Sequence, residues 1–130
     1  MIVDSSALIS MIRREVDAQF FAQALGAEFN LKMSAATFLE VNIVLGIKNP
    51  SSIIALEQLI AQLPIEIVPF TEEQAQIART AYRNFGKGSG HKAQLNFGDC
   101  FSYALAKAQR EPLLCKGNDF CHTDLKVINP

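Results

Sequence analysis

The chain begins with the eight residues that decide its fold, Met1-Ile2-Val3-Asp4-Ser5-Ser6-Ala7-Leu8. The first three are apolar, which is typical of a short buried strand, and the polar residues after them mark its end. From Ser5 to Arg14 the apolar residues recur at helical spacing. A buried strand that leads directly into a helix is the first half of a parallel strand–helix–strand unit, so this stretch predicts an α/β fold.

The rest of the chain repeats this alternation. Further strands are predicted at 29–33, 65–68, 113–115 and 126–128, and helices at 16–25, 35–47, 51–62, 72–84 and 97–109. Ser34 and Thr71 are placed to cap the helices that follow them. Helix 35–47 is apolar on most of its faces, so we expect it to be buried. We predict a three-layer α/β/α sandwich around a parallel sheet of four or five strands, in a single domain of residues 1–130.

Composition restricts the possible classes of protein. The 130 residues are 49% hydrophobic and 19% charged, with a net charge of -1, which is typical of a compact globule without a global field for a polyanion. A nucleic-acid surface would have to be a local patch. The chain starts with an apolar strand rather than a basic leader, and no apolar run approaches the length of a membrane span, so we expect no membrane partner. Three cysteines without paired spacing favour reduced thiols and a cytoplasmic location.

Four acidic residues stand in or beside apolar segments: Asp4, Glu40, Asp99 and Asp119. Burying a carboxylate is unfavourable, and burying several together is more so. Three of them have an ordinary structural explanation. Asp4 can cap a helix, Asp99 can form a capping box with Asn96, and Asp119 can stabilise a turn beside Gly117. Glu40 has no such explanation.

The predicted topology brings these acids together. Binding sites in an open parallel sheet form beyond the carboxyl ends of the strands, where Asp4 and Asp119 lie. Two carboxylates about 4 Å apart repel by roughly 4 kcal/mol at an effective dielectric near 20. A cluster of oxygen ligands with this charge suits Mg²⁺ or Mn²⁺ better than zinc. Such an ion binds a phosphate oxygen and acidifies water, so the cluster points to metal-assisted phosphodiester hydrolysis.

Four segments in order along the chain resemble the PIN-domain nucleases, and within them the VapC toxins of bacterial type II toxin–antitoxin pairs. They are residues 1–8, Ser34-Ala35-Ala36-Thr37-Phe38-Leu39-Glu40, Leu95-Asn96-Phe97-Gly98-Asp99-Cys100-Phe101 and Gly117-Asn118-Asp119-Phe120. The resemblance implies a PIN-like fold and a Mg²⁺-dependent endoribonuclease in which Mn²⁺ can substitute. It also implies a homodimer inhibited by a cognate VapB-like antitoxin.

The resemblance also implies a role for each site residue. Asp4 and Asp99 would be the principal metal ligands, and Asp119 would complete the metal site directly or through water. Glu40 would orient the attacking water or act as a base. Ser6 would hydrogen-bond within the site, although a hydroxyl at this position can equally satisfy a backbone amide. Asn118 departs from the family pattern, because many relatives carry a second aspartate there, and this leaves the role of Asp119 open.

The candidate phosphate contacts are basic residues scattered along the chain: Arg13, Arg14, Lys48, Arg79, Arg83, Lys87, Lys92 and Lys116. Most are expected to be solvated surface charges. Lys87 and Lys92 lie in the glycine-rich segment 85–96, which is either a mobile surface loop or a loop that closes over substrate. Lys116 precedes Asp119 by three residues. We expect the specificity to come from RNA shape or from an exposed single-stranded loop.

Three other functions compete with a toxin ribonuclease. A PIN-domain nuclease could act in RNA processing or on DNA, outside any toxin–antitoxin pair. A phosphorylation-receiver domain also gathers acids around Mg²⁺, but it needs an acidic pair after the first strand, where this chain has Ser5 and Ser6. A catalytically silent PIN scaffold would not need to keep all four acids.

Overall fold

The computed structural model of the protein describes residues 1–47 and 49–130, so Lys48 lies outside the described residues. Five strands are present in that part of the chain: β1 (Ile2–Val3), β2 (Leu31–Ser34), β3 (Ile65–Val68), β4 (Leu113–Leu114) and β5 (Val127–Ile128). The helices are α1 (Ser5–Ile12), α2 (Ala18–Gly26), α3 (Ala35–Gly46), α4 (Ser51–Gln62), α5 (Glu72–Phe85) and α6 (Asp99–Gln109). A single 3₁₀ turn follows at Phe120–His122.

The five strands form one parallel sheet in the order β3-β2-β1-β4-β5. From β1 the chain moves outward to β2 and β3, and it then crosses back to β4 on the other side of β1. The strand order therefore reverses between β1 and β4. Ligands of open α/β sheets bind in the crevice at such a reversal, beyond the carboxyl ends of the strands. The fold thus marks the end of β1, where Asp4 stands, as the expected site.

Two hydrophobic cores cover the two faces of the sheet. One contains residues of α1, α2, α3 and α4, and the other contains residues of α5 and α6. Successive strand residues alternate between them: Ile2 and Leu113 belong to the α5–α6 core, while Val3 and Leu114 belong to the other. This alternation is the period-two pattern of a strand buried on both faces. The predicted α/β/α sandwich is confirmed.

The two predicted helix caps, Ser34 and Thr71, are confirmed. Ser34 Oγ accepts a hydrogen bond from the Ala36 amide, and Thr71 Oγ1 accepts one from the Gln74 amide. The predicted burial of helix 35–47 is wrong, because Leu39 is 60% exposed and Ile43 is 49% exposed. The strand predicted from residue 29 begins only at Leu31, since Phe29 lies on the surface.

The glycine-rich segment 85–96 is held closed at its base. The Lys87 amide donates to the Leu95 carbonyl, and the Leu95 amide donates to the Phe85 carbonyl. Ala93 and Leu95 are fully buried. The segment is therefore an anchored loop with a solvent-facing tip rather than a wholly mobile one. Within the described residues, every helix is too short or too polar to cross a bilayer.

Candidate active site

The four predicted acids line one cavity at the carboxyl end of β1. The cavity has a volume of about 250 Å³. Its lining is Asp4, Ser5, Ser6, Ile9, Glu15, Glu40, Asn96, Asp99, Lys116, Asp119 and Phe120. Four segments that are far apart in the sequence therefore supply the acids to one place, as the strand order requires.

Asp4 is the buried member of the group, with 3% of its surface exposed. It caps α1, because its Oδ2 accepts from the Ser6 amide at 3.0 Å and from the Ser6 hydroxyl at 2.6 Å. Its Oδ1 accepts from the Ser102 hydroxyl at 2.6 Å. The capping explanation of Asp4 is correct, and Asp4 also belongs to the site.

Asp99 begins α6 and also fills two roles. The Asn96 amide donates to Asp99 Oδ2 at 2.7 Å, and the Asp99 amide donates to Asn96 Oδ1 at 3.0 Å, which is the expected reciprocal capping box. The pKa of Asp99 is raised to about 7, with burial as the largest cause and the hydrogen bond from Asn96 opposing it. The negative charges of Asp4, Asp119 and Glu40 contribute to the same rise. Asp99 is therefore the member that most needs a neighbouring positive charge.

Glu40 reaches the cavity from the second turn of α3 and contacts the start of α6. A Cβ atom on Gly98 would collide with Glu40 Oε1 and would come within 2.9 Å of its carboxyl carbon. Gly98 has a helical φ of -63°, so space, rather than backbone conformation, requires glycine there. Burial and the charge of Asp4 raise the pKa of Glu40, and the Ser5 side chain opposes this rise.

Asp119 is the most exposed of the four acids. It precedes the 3₁₀ turn at Phe120–His122, but its side chain makes no capping hydrogen bond there. The turn is set instead by Gly117, whose φ of +87° favours glycine. The structure gives Asp119 no turn-stabilising hydrogen bond, so its carboxylate is available to the cavity.

Ser6 satisfies both predicted roles. Its hydroxyl donates to Asp4 Oδ2 and accepts from the Lys116 amide at 2.9 Å. The Lys116 ammonium lines the cavity, but it is paired with Glu15 at 2.8 Å and with Asp17 at 2.7 Å. Lys87 and Lys92 are exposed and do not line the cavity, so their predicted contact with substrate stays a prediction.

The donor set fits a hard divalent cation. Five acids line the cavity. Glu15 is paired with Lys116, the one cation among the described lining residues, and Lys116 also pairs with Asp17, so the other four acids have no salt bridge to a described residue. Within residues 1–47 and 49–130, no three acidic, histidine or cysteine side chains are placed so that together they could hold a metal ion, so the acids line the cavity without closing around one point. An open arrangement agrees with Mg²⁺ chemistry, since Mg²⁺ keeps several waters and uses one or two carboxylates directly.

Sequence reasoning missed three contributors to this site. Ser102 and Thr37 are fully buried and reach Asp4 only through the packing of α6 and α3 on β1. Thr37 lies in the segment 34–40 that resembles the family and Ser102 directly follows the segment 95–101, but no sequence pattern assigns either of them a role. Gly98 was quoted as part of a motif, but its steric role depends on where Glu40 lies.

The fold and the cavity together define a class of protein, an α/β/α sandwich with an acidic site at the reversal of a parallel sheet. The family model described as "PIN domain" matches residues 1–126. Ribonuclease VapC28 of Mycobacterium tuberculosis is 52% identical over 127 residues, which are 97% of this chain and 96% of that protein. The chain belongs to the PIN domain family and, within it, to the VapC ribonucleases.

Solved structures show the same fold at low sequence identity. VapC20 of Mycobacterium tuberculosis, described as a sarcin–ricin loop cleaving toxin, aligns with a TM-score of 0.77 at 12% identity over 99% of this chain and 98% of that one. VapBC2 of Rickettsia felis, bound to a DNA fragment from its promoter, aligns with a TM-score of 0.73 at 14% identity over 98% and 96%. The divalent-metal dependence general to PIN-domain ribonucleases agrees with the donor set described above.

Proposed function

We propose that the protein is a Mg²⁺-dependent endoribonuclease, with Mn²⁺ as a substitute, and the toxin of a VapBC-like pair. Residues 1–130 would act as one nuclease domain in the cytoplasm. The observation that carries the proposal is the meeting of Asp4, Glu40, Asp99 and Asp119 in one cavity. The relatives named VapC ribonuclease support the same activity.

Asp4 and Asp99 would hold the cation, and Asp119 would complete the site directly or through water. When bound, a divalent cation supplies positive charge beside the scissile phosphate and makes a coordinated water more acidic. Glu40 has a raised pKa and lies beside Asp4, so it is suited to orient the attacking water and to accept its proton. Ser6 holds Asp4 in place by its hydroxyl.

The substrate would be a single-stranded or looped RNA. The cavity is strongly acidic, and the chain has a net charge of -1, so RNA affinity must come from a few local contacts rather than from a broad basic face. Lys116 lines the same cavity as the acids, and Lys87 and Lys92 are exposed on the anchored loop. These three remain the candidate phosphate contacts.

An exposed apolar surface supports the proposed homodimer. Leu39, Ile43, Phe97 and Phe101 line a groove between α3 and the start of α6, and Phe97 is 77% exposed. Apolar patches of this kind commonly mark protein interfaces. The groove also contains Glu40 and Gly98, so a second copy seated there would lie beside the acidic cavity. Ile43→Asp should shift the sedimentation coefficient from dimer to monomer, and an unchanged value would exclude this surface.

A VapB-like antitoxin is the second proposed partner. Its support is the class of relative, since the solved Rickettsia felis assembly contains both VapB and VapC chains on promoter DNA. The product of a short reading frame directly upstream should co-purify with this chain and suppress its activity. Co-expression followed by an RNA cleavage assay tests both points, and cleavage unaffected by that product would count against the pairing.

The activity itself is tested by incubating total cellular RNA with the purified protein and mapping the cut sites. We expect cleavage with Mg²⁺ or Mn²⁺, none with a chelator, and none by Asp99→Asn. Equal cleavage by Asp99→Asn would refute the proposed site. A parallel reaction on single-stranded DNA separates the toxin ribonuclease from a nuclease that acts on DNA.

A further inference from the structure

Two buried hydroxyls connect Asp4 to the helix that carries Glu40. Ser102 on α6 and Thr37 on α3 are both fully buried. The Ser102 hydroxyl donates to Asp4 Oδ1 at 2.6 Å, and Thr37 Oγ1 lies 3.2 Å from Ser102 Oγ. Thr37 stands one helical turn before Glu40 on α3. The two hydroxyls therefore join β1, α6 and α3 behind the acidic cavity.

The direction of these hydrogen bonds follows from a count of protons. A serine hydroxyl has one proton, and an ionised carboxylate only accepts. Ser102 must give its proton to Asp4, so Thr37 must be the donor in the contact between the two hydroxyls. The result is a chain in which Thr37 donates to Ser102 and Ser102 donates to Asp4. Bonds in such a chain polarise one another, and the one that ends on a charge is the strongest.

The other oxygen of Asp4 is already saturated. Oδ2 accepts from both the amide and the hydroxyl of Ser6, which uses the two acceptor positions of a carboxylate oxygen. Among the described residues, Oδ1 accepts from Ser102 alone, which leaves one acceptor position on that oxygen. Asp4 can therefore offer the cavity a single position on Oδ1. The bond from Ser102 fixes the rotation of the carboxylate and so the direction of that position.

We propose that Ser102 and Thr37 are positioning residues that aim the free acceptor position of Asp4 Oδ1 at the cation in the cavity. The inference rests on the proposed function, because it assigns a purpose to a hydrogen-bond chain behind that site. Partners that orient a ligand from behind commonly change metal affinity by about 10- to 100-fold when they are removed. A hydroxyl pair that only fills the core would change stability and leave cation affinity unchanged.

The test is a calorimetric titration of the full chain with Mn²⁺ alone, without RNA. Ser102→Ala should bind Mn²⁺ about 10-fold or more weakly than the wild type. Thr37→Val keeps the shape of the side chain but removes the donor, so it should weaken binding in the same direction and by less. Thr37→Ser keeps the hydroxyl and should bind Mn²⁺ with wild-type affinity. Thermal unfolding in chelator, measured on each variant, shows whether it is folded.

Ser10→Ala is the matched control. Ser10 is also fully buried, but its hydroxyl has no hydrogen-bond partner within the described residues, and it does not line the cavity. This variant should bind Mn²⁺ with wild-type affinity. Wild-type affinity in both folded Ser102→Ala and Thr37→Val would overturn the inference while leaving the proposed function intact. A wild type that neither binds Mn²⁺ nor cleaves RNA would overturn both.

Discussion

Two acids at opposite ends of helix α6, Asp99 and Asp124, have opposite electrostatic environments. At its start, Asp99 faces three other carboxylates, and its pKa is raised to about 7 by burial and by those charges. Nearer its end, Tyr103 and Lys107 bind Asp124 through a hydroxyl at 2.5 Å and an ammonium at 2.6 Å, and the pKa of Asp124 is lowered. The negative charge of Asp124 is thus balanced within the chain by Lys107, and this ion pair is called the Asp124 pair below. Among the residues that the structure describes, the cluster around Asp99 has no free positive charge, and this is what points to an external cation.

Neutralising one acid from each environment gives the largest expected contrast. Asp4→Asn should lower kcat/KM for RNA cleavage by more than about 100-fold. Removing a residue that only orients a metal ligand costs up to about 100-fold, and Asp4 is proposed to be a ligand itself. Asp124→Asn should leave cleavage within about twofold of the wild type and lower the free energy of unfolding by about 1 kcal/mol. Kinetics and urea unfolding of both variants test this, and a similar loss of cleavage in the two would remove the distinction.

A smaller effect is expected where α6 meets Glu40. Gly98→Ala would place a methyl group against the Glu40 carboxylate, which can swing away because it ends a flexible side chain. The protein should stay folded, and kcat should fall by about 10- to 100-fold through the displacement of Glu40. The control is Gly26→Ala at the end of α2, where the added carbon meets no atom within 4 Å. An unchanged kcat in Gly98→Ala would argue against a catalytic role for Glu40.

The raised pKa of Asp99 predicts a pH dependence of stability in chelator. The ordinary pKa of 3.8 applies to the unfolded chain and about 7 to the folded one, so the folded state holds a proton that the unfolded chain releases. The free energy of unfolding should therefore fall as the pH rises from about 4 to about 7. In Asp99→Asn this slope should be reduced. Urea unfolding across this pH range checks it, and equal slopes would contradict the assignment.

The smallest effect is expected at Lys116, which borders the acidic cavity but is paired with Glu15 and Asp17. If its ammonium also contacts a phosphate, Lys116→Met should weaken RNA binding modestly and lower the slope of log affinity against log salt by about 1. Binding of a non-cleaved RNA analogue at several salt concentrations measures this slope. A slope equal to that of the wild type would exclude Lys116 and leave Lys87 and Lys92 to be tested in the same way.

The comparison also shows what could be predicted from the sequence. The strand–helix order, the caps Ser34 and Thr71 and the meeting of the four acids all follow from local patterns and the rule for parallel sheets. Contacts between side chains on different elements did not follow, because they depend on rotation and packing. The Thr37–Ser102 pair is one example.

Two differences between the sequence predictions and the structure have the same physical origin. Helix α3 was expected to be buried because it is apolar, but a surface that binds another chain is apolar too, and sequence periodicity does not distinguish the two cases. A mobile surface loop is one of the two predictions for segment 85–96, but its glycines do not reveal the backbone pairing between Gly86 and Leu95 at its base. Apolar composition in the first case and glycine content in the second do not show which surfaces or backbone groups come into contact.

The most direct test of the central claim is a calorimetric titration with Mn²⁺ of three proteins: the wild type, Asp99→Asn and Asp124→Asn. If the cluster around Asp99 needs an external cation and the Asp124 pair does not, the wild type and Asp124→Asn will bind Mn²⁺ equally, and Asp99→Asn will bind it more than about 10-fold more weakly. Equal Mn²⁺ binding by the wild type and Asp99→Asn would contradict the account.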